Sequence, residues 1–380
     1  MKILTVDIGT GTQDIFLYDS QLDLENGYKM VLPSPTMIVR GKLRQAARRR
    51  EPVLLTGVTM GGGPSSWAVE DHLKAGLPVY AISAAARTIK DDLDKVRDMG
   101  ITLVSEDEAR LLPETVRRIE LGDFDFPLIA HTLEQFGIAL DQLAAVAVAV
   151  FDHGEAPRGT SDRRFRFDYL DQRIRAENRL SAFAYSRADI PPSMTRLQAV
   201  AQSADNLPAP LVVMDTAPAA VLGATLDRRV ASQPRSIISN IGNFHTLAFR
   251  LGPAGIEGVF EHHTGEIDRQ RLESLLYALA DGTLNNEDVF NQQGHGALIY
   301  SHDPLELDSS GGNLTVTGPR RSLLNESGLH PYFAAPFGDM MITGCFGLLA
   351  ATADVMPELR EAILNSLQGL CAGKAPWDEQ

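Results

Sequence analysis

One arrangement of elements occurs twice in the sequence and leaves few folds open: an apolar strand, a turn centred on glycine, and a second strand. Near the start, Lys2 to Val6 predicts a strand, DIGTGTQD at 7–14 supplies the turn, and IFLY at 15–18 resumes strand character. SIISNIGNFHTLAFRL at 236–251 repeats the same order. Two copies of one α/β unit are the economical interpretation.

The repetition extends beyond the two turns. LTVTGPRR at 314–321 has the strand-then-Thr-Gly form of VLLTGVTM at 53–60, and each precedes sequence compatible with a helix. Helices rich in small residues are predicted at 216–226 and at 339–351, one closing each half. The pattern therefore predicts that both halves end in a helix suited to close packing.

The halves are predicted to divide the chain into a first lobe at 1–227 and a second lobe at 228–380. Residues from about 84 to 208 follow the repeated order less clearly. We expect this segment to form a subdomain inserted into the first lobe. The predicted fold class is α/β, with two lobes that arise from an internal duplication.

Composition narrows the classes of function. The 380 residues are 44% hydrophobic and 22% charged, which is typical of a globular protein with two or three domains. A formal net charge of -14 would repel phosphate backbones, so no nucleic-acid partner is expected. The apolar run from Ala144 to Phe151 has the length of a strand and falls short of the roughly 20 residues that span a bilayer. We therefore expect no membrane partner and a cytoplasmic location.

The turn after the first strand has the composition of a phosphate-binding loop. Glycine accepts the dihedral angles that let backbone N–H groups converge, and threonine hydroxyls add donors. Asp7 ends the preceding strand, where it is placed to hold a magnesium ion through water. The alternative is an ordinary hairpin in which aspartate and glycine serve only the turn geometry.

Five segments in order resemble the signature of the actin, heat-shock-70 and sugar-kinase superfamily: DIGTGT at 7–12, the helix at 216–226, NIGNFHT at 240–246, VTGPRR at 316–321 and the helix at 339–351. In that superfamily they are two phosphate loops, an adenosine loop and two connecting helices. The resemblance implies two ribonuclease-H-like lobes, the actin-like ATPase fold, with Mg-ATP in the cleft between them. Within the superfamily, SNIGNFHT at 239–246 and FEHHTG at 260–265 resemble a family named after pyruvate formate-lyase activating enzymes.

The resemblance assigns roles to individual residues. Asp7 would be the magnesium anchor and a catalytic residue. The first phosphate loop would contact the β and γ phosphates, the second would clamp them from the other lobe, and the adenosine loop would let the base approach the backbone beside an arginine. The nucleotide-binding residues implied are Gly9, Thr10, Gly11, Thr12, Gln13, Gly242, Asn243, Thr246, Gly318 and Arg320, with Arg321 as the alternative arginine.

Two positions depart from the superfamily pattern. Many members have an aspartate that opens the second phosphate loop, where this chain has Asn240, so turnover is expected to be slow. Sugar kinases usually have a basic residue where this chain has Asp14, and a carboxylate there would repel phosphate unless it points away. These departures favour nucleotide binding over catalysis.

Asp215 is the best candidate for a base or a residue that positions the attacking water, since it ends a strand directly before the first connecting helix. The alternative is that Asp215 or Thr216 caps that helix. The two interpretations are level on sequence alone.

Other clusters have weaker claims. GGGPSS at 61–66 predicts either an anion site at a helix start or a tight connection, and Asp152 with His153 follows a buried strand where a second substrate or a partner could bind. Histidines and acids occur together in two further segments, but neighbouring histidines on a strand face opposite ways, so structural roles are favoured over metal sites. These residues are Glu261, His262, His263, Glu266, His295, His302 and Asp303.

The function predicted is an ATPase or phosphotransferase, with water, a small molecule or a partner enzyme as the target of ATP-driven action. The alternatives are a nucleotide-gated binding module with little turnover and a small-molecule kinase. A radical activating enzyme is excluded, because it needs three closely spaced cysteines for its cluster and the chain has only Cys345 and Cys371. An iron-sulfur ATPase with two cysteines per subunit is a further rival.

Overall fold

The computed structural model describes residues 1–140, 142–157, 159–307 and 312–370, together with Lys374 and Trp377. The strands of this part of the chain are β1 (Lys2–Ile8), β2 (Thr12–Asp19), β3 (Tyr28–Pro33), β4 (Val53–Gly57), β5 (Val79–Ile82), β6 (Thr102–Val104), β7 (Arg117–Leu121), β8 (Leu143–Val150), β9 (Ala184–Ser186), β10 (Leu211–Asp215), β11 (Ser236–Ile241), β12 (His245–Gly252), β13 (Gly255–His263), β14 (Gly294–Ile299), β15 (Leu314–Thr317) and β16 (Tyr332–Phe333).

The helices pack on and between these strands. They are α1 (Pro35–Arg49), α2 (Pro64–Lys74), α3 (Ser83–Ala86), α4 (Leu93–Asp98), α5 (Glu106–Leu111), α6 (Phe126–Glu134), α7 (Asp162–Ala176), α8 (Thr195–Ser203), α9 (Thr216–Ala224), α10 (Arg228–Ala231), α11 (Arg269–Ala280), α12 (Asn286–Asn291), α13 (Thr343–Val355) and α14 (Arg360–Leu367).

The two six-stranded sheets share an order of five strands, and each has one further edge strand, β9 in the first and β14 in the second. The first runs β3-β2-β1-β8-β10-β9 and the second β14-β13-β12-β11-β15-β16. In each, an antiparallel three-stranded meander continues into two parallel strands, so that β1 corresponds to β11 and β8 to β15. The central strands β1 and β8 are buried on both faces, which is why β8 is apolar throughout and β1 is mainly apolar. The predicted internal duplication is confirmed.

A third sheet lies apart from both lobes. It has four parallel strands in the order β6-β5-β4-β7, and it has its own apolar core. The segment VLLTG is β4 of this sheet, so it is not the counterpart of LTVTG in β15 as the sequence suggested. The strands of the third sheet span 53–121, earlier than the insertion expected at 84–208, whereas β8 and β9 within that range belong to the first lobe. A parallel strand followed by a helix has the same pattern in either sheet, which explains the difference.

The two helices predicted to close the halves, α9 and α13, cross at very short range. A Cβ added at Gly223 would lie 1.8 Å from the carbonyl oxygen of Thr343, and one at Gly347 would lie 1.8 Å from that of Ala219. Only glycine permits this approach of one helix backbone to the other. The crossing therefore joins the two lobes beneath the cleft.

None of the helices in the described residues combines the length and the apolar character that crossing a bilayer requires.

Candidate functional site

The first glycine turn joins β1 to β2 at the mouth of the cleft. Gly9 N donates to the carbonyl of Thr12 at 2.9 Å, and Ser34 binds the turn twice, through its N–H to the Gly11 carbonyl at 3.1 Å and through its hydroxyl to the Thr10 carbonyl at 2.6 Å. These bonds fix the turn against β3. Gly9, Thr10 and Thr12 then line a narrow cleft of about 110 Å³.

The second glycine turn, between β11 and β12, faces the first from the other lobe. Gly242 N donates to the carbonyl of His245 at 2.9 Å, and Gly242 and Asn243 line the same cleft. A Cβ at Gly11 would lie 2.4 Å from Nδ2 of Asn243, so the two turns meet with no room for a side chain between them. The structure thus brings together the two loops predicted to bind phosphate.

Two carboxylates stand side by side at the base of the cleft. Asp7 and Asp14 are paired across β1 and β2, and both line the cleft. The hydroxyl of Thr216 donates to Asp7 Oδ1 at 2.5 Å, whereas Oδ1 of Asp14 is buried without a hydrogen-bond partner. Burial raises the pKa of Asp7 to about 6, and burial together with the nearby Asp7 raises the pKa of Asp14 to about 8.

This pair suits a divalent cation. Adjacent buried carboxylates are unfavourable when both are ionised, and a hard cation with oxygen ligands removes that penalty. A Cβ at Gly344 would lie 1.8 Å from Asp7 Oδ2, so glycine keeps α13 from covering the carboxylate. The sequence analysis expected a carboxylate at this position to repel phosphate unless it pointed away. In the structure, Asp14 lines the cleft. The donors present fit a magnesium ion.

The Asp14 carboxylate is expected to make the metal-free protein less stable as pH rises. Because its pKa in the folded protein is raised to about 8, the folded chain keeps a proton that the unfolded chain loses, and stability falls between about pH 4 and pH 8. Asp7 adds to the trend in the same direction. The Asp14→Asn variant should therefore melt at least about 3 °C above the wild type at pH 8 in EDTA, with a smaller difference at pH 5.

Thermal unfolding followed by circular dichroism measures this effect. The exposed Asp98→Asn variant is the matched control and should follow the wild-type profile. Identical pH profiles for Asp14→Asn and the wild type would contradict the assignment of Asp14 as a buried carboxylate.

The loop predicted to bind adenosine contributes to the lining of the cleft. Gly318 adopts a φ of +96°, and a Cβ there would lie 2.4 Å from Oδ1 of Asn240. Both residues line the cleft, together with Pro319 and Met341. Arg320 is exposed, and its N–H donates to the Ile241 carbonyl at 2.9 Å. Arg320 is not among the cleft-lining residues.

Two further predicted contacts are turned away from the cleft. Gln13 is buried and its Nε2 donates to the carbonyl of Pro33 at 3.1 Å. The hydroxyl of Thr246 lies 2.9 Å from that of Thr264, which donates to the Gly242 carbonyl at 2.9 Å. Both side chains therefore support the phosphate loops from behind.

Asp215 is the N-cap residue of α9. Its Oδ1 accepts from the N–H of Ala217 at 2.9 Å, and its Oδ2 accepts from Arg166. Arg166 also donates to Oε2 of Glu261 in the second lobe at 3.2 Å, and all three side chains are buried. With both oxygens of Asp215 occupied, its carboxylate is not directed at the cleft.

Three histidines that the sequence analysis did not group together form a cluster. His245 and His263 are paired across β12 and β13, and Nε2 of His263 lies 3.2 Å from Nε2 of His295 on β14. Phe151 stacks on the His245 ring with 4.1 Å between centroids. His262, by contrast, faces the other way and contacts backbone carbonyls of His263 and Gln292. Burial lowers the pKa of His263 to about 4 and that of His245 below its ordinary value, so both rings are neutral at pH 7.

A second cavity of about 490 Å³ adjoins the cleft. Its lining includes the glycines at 61–63, Asp152 and His153. His153 lies 3.7 Å from Asp91, and burial opposes but does not overcome the acidic neighbours that raise the pKa of His153. The residues suggested for a second substrate thus share one cavity beside the phosphate loops.

Two ribonuclease-H-like sheets with five corresponding strands, joined by crossing helices and facing each other across a cleft with glycine turns, define the actin-like ATPase fold. The chain belongs to the family described as "Putative pyruvate format-lyase activating enzyme (DUF1786)", whose family model matches residues 60–323. No curated protein matches the chain in sequence.

Several solved structures are similar to this chain. One is the activator of the 2-hydroxyisocaproyl-CoA dehydratase from Clostridium difficile with bound ADPNP, with 10% identity, a TM-score of 0.33 and coverage of 99% of this chain and 100% of that one. Ethanolamine utilization protein EutJ from Carboxydothermus hydrogenoformans has 11% identity, a TM-score of 0.29 and coverage of 92% and 89%. ROK hexokinase from Thermus thermophilus has 13% identity, a TM-score of 0.25 and coverage of 97% of this chain and 88% of that one. TM-scores this low carry no argument about the site or the activity of this chain.

The cysteines do not match the chemistry in the family's name. An iron-sulfur cluster of a radical activating enzyme needs three nearby thiolates, and the sequence has two cysteines. Cys345 is buried in α13 with its Sγ 3.1 Å from the Asp14 carbonyl, and burial raises the pKa of this thiol. Cys371 lies outside the described residues. Cys345 is therefore a packing residue.

Proposed function

We propose that the chain binds Mg-ATP between its lobes and acts as an ATPase or phosphotransferase. The observation that carries the proposal is the buried pair Asp7 and Asp14 at the base of a cleft whose two sides are glycine turns. Glycine turns offer backbone N–H groups to phosphate, and paired carboxylates offer oxygen ligands to magnesium. The two features serve one ligand, a nucleotide with its metal ion.

Each group of residues has a role in this arrangement. Asp7 and Asp14 would hold magnesium, directly or through water, and the ion would neutralise charge on the phosphates. Gly9 to Thr12 and Gly242 with Asn243 would position the phosphates from opposite sides. Gly318 would let adenosine approach the backbone of the second lobe. Closure of the lobes then excludes water around the reacting phosphate.

The residues that line the cleft offer few candidates for a general base. Asp7 and Asp14 are the only carboxylates among the described residues that line the cleft, and the side chain of Asp215 is occupied as a helix cap. Asn240 supplies no base. A general base would thus have to come from the acceptor or from water itself, so slow turnover is expected. This shortage favours a nucleotide-gated binding module as the second candidate function.

Nucleotide titration calorimetry tests the proposal. We expect ATP and a non-hydrolysable analogue to bind with one site per chain in the presence of magnesium, and much more weakly in EDTA. ADP release is then measured from the protein alone and with candidate small-molecule acceptors. ADP release by the protein alone supports an ATPase. ADP release that requires an acceptor supports a kinase, and ATP binding without ADP release supports the nucleotide-gated binding module. Absence of magnesium-dependent binding would refute nucleotide binding at this cleft.

A further inference from the structure

Three imidazoles converge in the wall of the cavity beside the phosphate loops. His245, His263 and His295 each offer one ring nitrogen, and these three atoms all lie within 4.8 Å of one another. The three residues come from different strands, β12, β13 and β14, and all of them line the second cavity. No two of the three histidines are neighbours in the sequence, so the pairing of the strands brings them together.

A β-bulge brings the third histidine into place. On β13 and β14, Glu261 pairs with Gly296 and His262 with Gly294, which leaves His295 as the extra residue between them. Bulges redirect a side chain and recur beside functional sites. Here the bulge places the His295 ring 4.6 Å from that of His263 and 4.9 Å from that of His245, measured between centroids.

A carboxylate behind the cluster orients one of the rings. Nδ1 of His295 lies 2.6 Å from Oε1 of Glu261, which directs its Nε2 toward His263. A carboxylate bound to the far nitrogen of a histidine is the usual support of a metal-ligating imidazole. Arg166 binds the other oxygen of this carboxylate, Oε2, at 3.2 Å.

The local charge also suits a cation. Arg166 carries one positive charge, whereas Asp215 and Glu261 carry two negative charges, and the three side chains are buried together behind the histidines. The charges of these three side chains sum to one net negative charge. This net negative charge would attract a divalent ion to the three nitrogens.

We propose that His245, His263 and His295 bind a divalent transition-metal ion of the zinc class, with Glu261 orienting His295. Zinc sits about 2.0–2.1 Å from imidazole nitrogen, and three protein ligands with an open position are typical of a reactive rather than a structural site. The open position faces the second cavity. This nitrogen site is separate from the oxygen ligands Asp7 and Asp14, and it does not depend on nucleotide binding.

Cobalt titration of tag-free, metal-stripped protein tests the proposal. With excess magnesium present, we expect one equivalent of Co²⁺ to bind and to produce visible absorption bands that Zn²⁺ then displaces. His263→Ala and His295→Ala should weaken Co²⁺ binding by at least about 10-fold to 100-fold. Two controls should bind like the wild type: His262→Gln, whose ring faces away, and His131→Ala, on the exposed face of α6.

The result does not depend on the stability of the variants. Crystals of the wild-type protein soaked in Zn²⁺ should show an anomalous peak among the three rings. Absence of saturable Co²⁺ binding by the wild type would overturn the proposal. Binding that persists unchanged in both folded alanine variants, or an anomalous peak elsewhere with none at the cluster, would also overturn it.

Discussion

Asp7→Asn is expected to lower magnesium-dependent turnover or nucleotide affinity by at least about 100-fold, because the ion's stabilisation of phosphate charge is worth several kcal/mol. The variant should nevertheless fold well. Burial raises the pKa of Asp7 to about 6, so its charge destabilises the metal-free protein at neutral pH. An asparagine keeps the shape and still accepts from the hydroxyl of Thr216, which lies 2.5 Å from Oδ1 in the wild type.

Calorimetry with ATP across a magnesium series measures the loss, and thermal unfolding in EDTA measures the stability. The control is Asp98→Asn, an exposed substitution of the same chemistry on α4, which should change neither quantity. If Asp7→Asn kept the magnesium dependence of the wild type, Asp7 could not be the anchor of the ion. Loss of folding in this variant would contradict the energetic account of the buried carboxylate.

Arg166→Met is expected to lower the free energy of unfolding by about 3–5 kcal/mol at pH 8, because it leaves two buried carboxylates without a counter-charge. In the wild type, burial alone would raise the pKa of Glu261, but the charge of Arg166 and the contact with the His295 ring hold it below its ordinary value. Without Arg166 the folded protein would take up a proton at this site. The destabilisation should therefore be smaller at pH 5 than at pH 8.

Urea denaturation at the two pH values measures this effect. Arg175→Met removes an exposed arginine from the same helix, where it pairs with Asp171 at 2.8 Å, and should change stability little. Combining Arg166→Met with Asp215→Asn and Glu261→Gln should recover part of the loss, since it neutralises both orphaned carboxylates. An equal deficit at pH 5 and pH 8 would show that lost packing, rather than unpaired charge, destabilises the variant.

The duplicated core was predictable because its signals are local. A strand, a glycine turn and a returning strand lie close together in sequence, at 2–19 and at 236–252, and hairpins of this kind specify their own pairing. The helices α9 and α13 were predictable for a similar reason, since runs of small residues mark close packing. The sequence could not predict to which sheet VLLTG belongs, because a parallel strand makes its contacts with residues distant in the chain.

In the candidate site, too, residues within one local motif could be predicted from sequence, and residues brought together by strand pairing could not. Gly9 to Thr12 could be identified from sequence because turn and chemistry coincide. Asp14 was expected to repel phosphate unless it pointed away, because only the register of β1 against β2 shows that it stands beside Asp7. The cluster of His245, His263 and His295 requires the pairing of three strands and a bulge, and no spacing in the sequence encodes that combination.

The position of Arg166 limits how the cleft can open. Its guanidinium binds Asp215 of the first lobe and Glu261 of the second, so pulling the lobes straight apart would expose charged groups whose separation is costly. The crossing of α9 and α13 at Gly223 and Gly347 fixes a second point of contact. A rigid body held at two points can still turn about the line through them. The lobes should therefore rotate about the axis through Arg166 and the crossing of α9 and α13, and this rotation would move the two glycine turns apart.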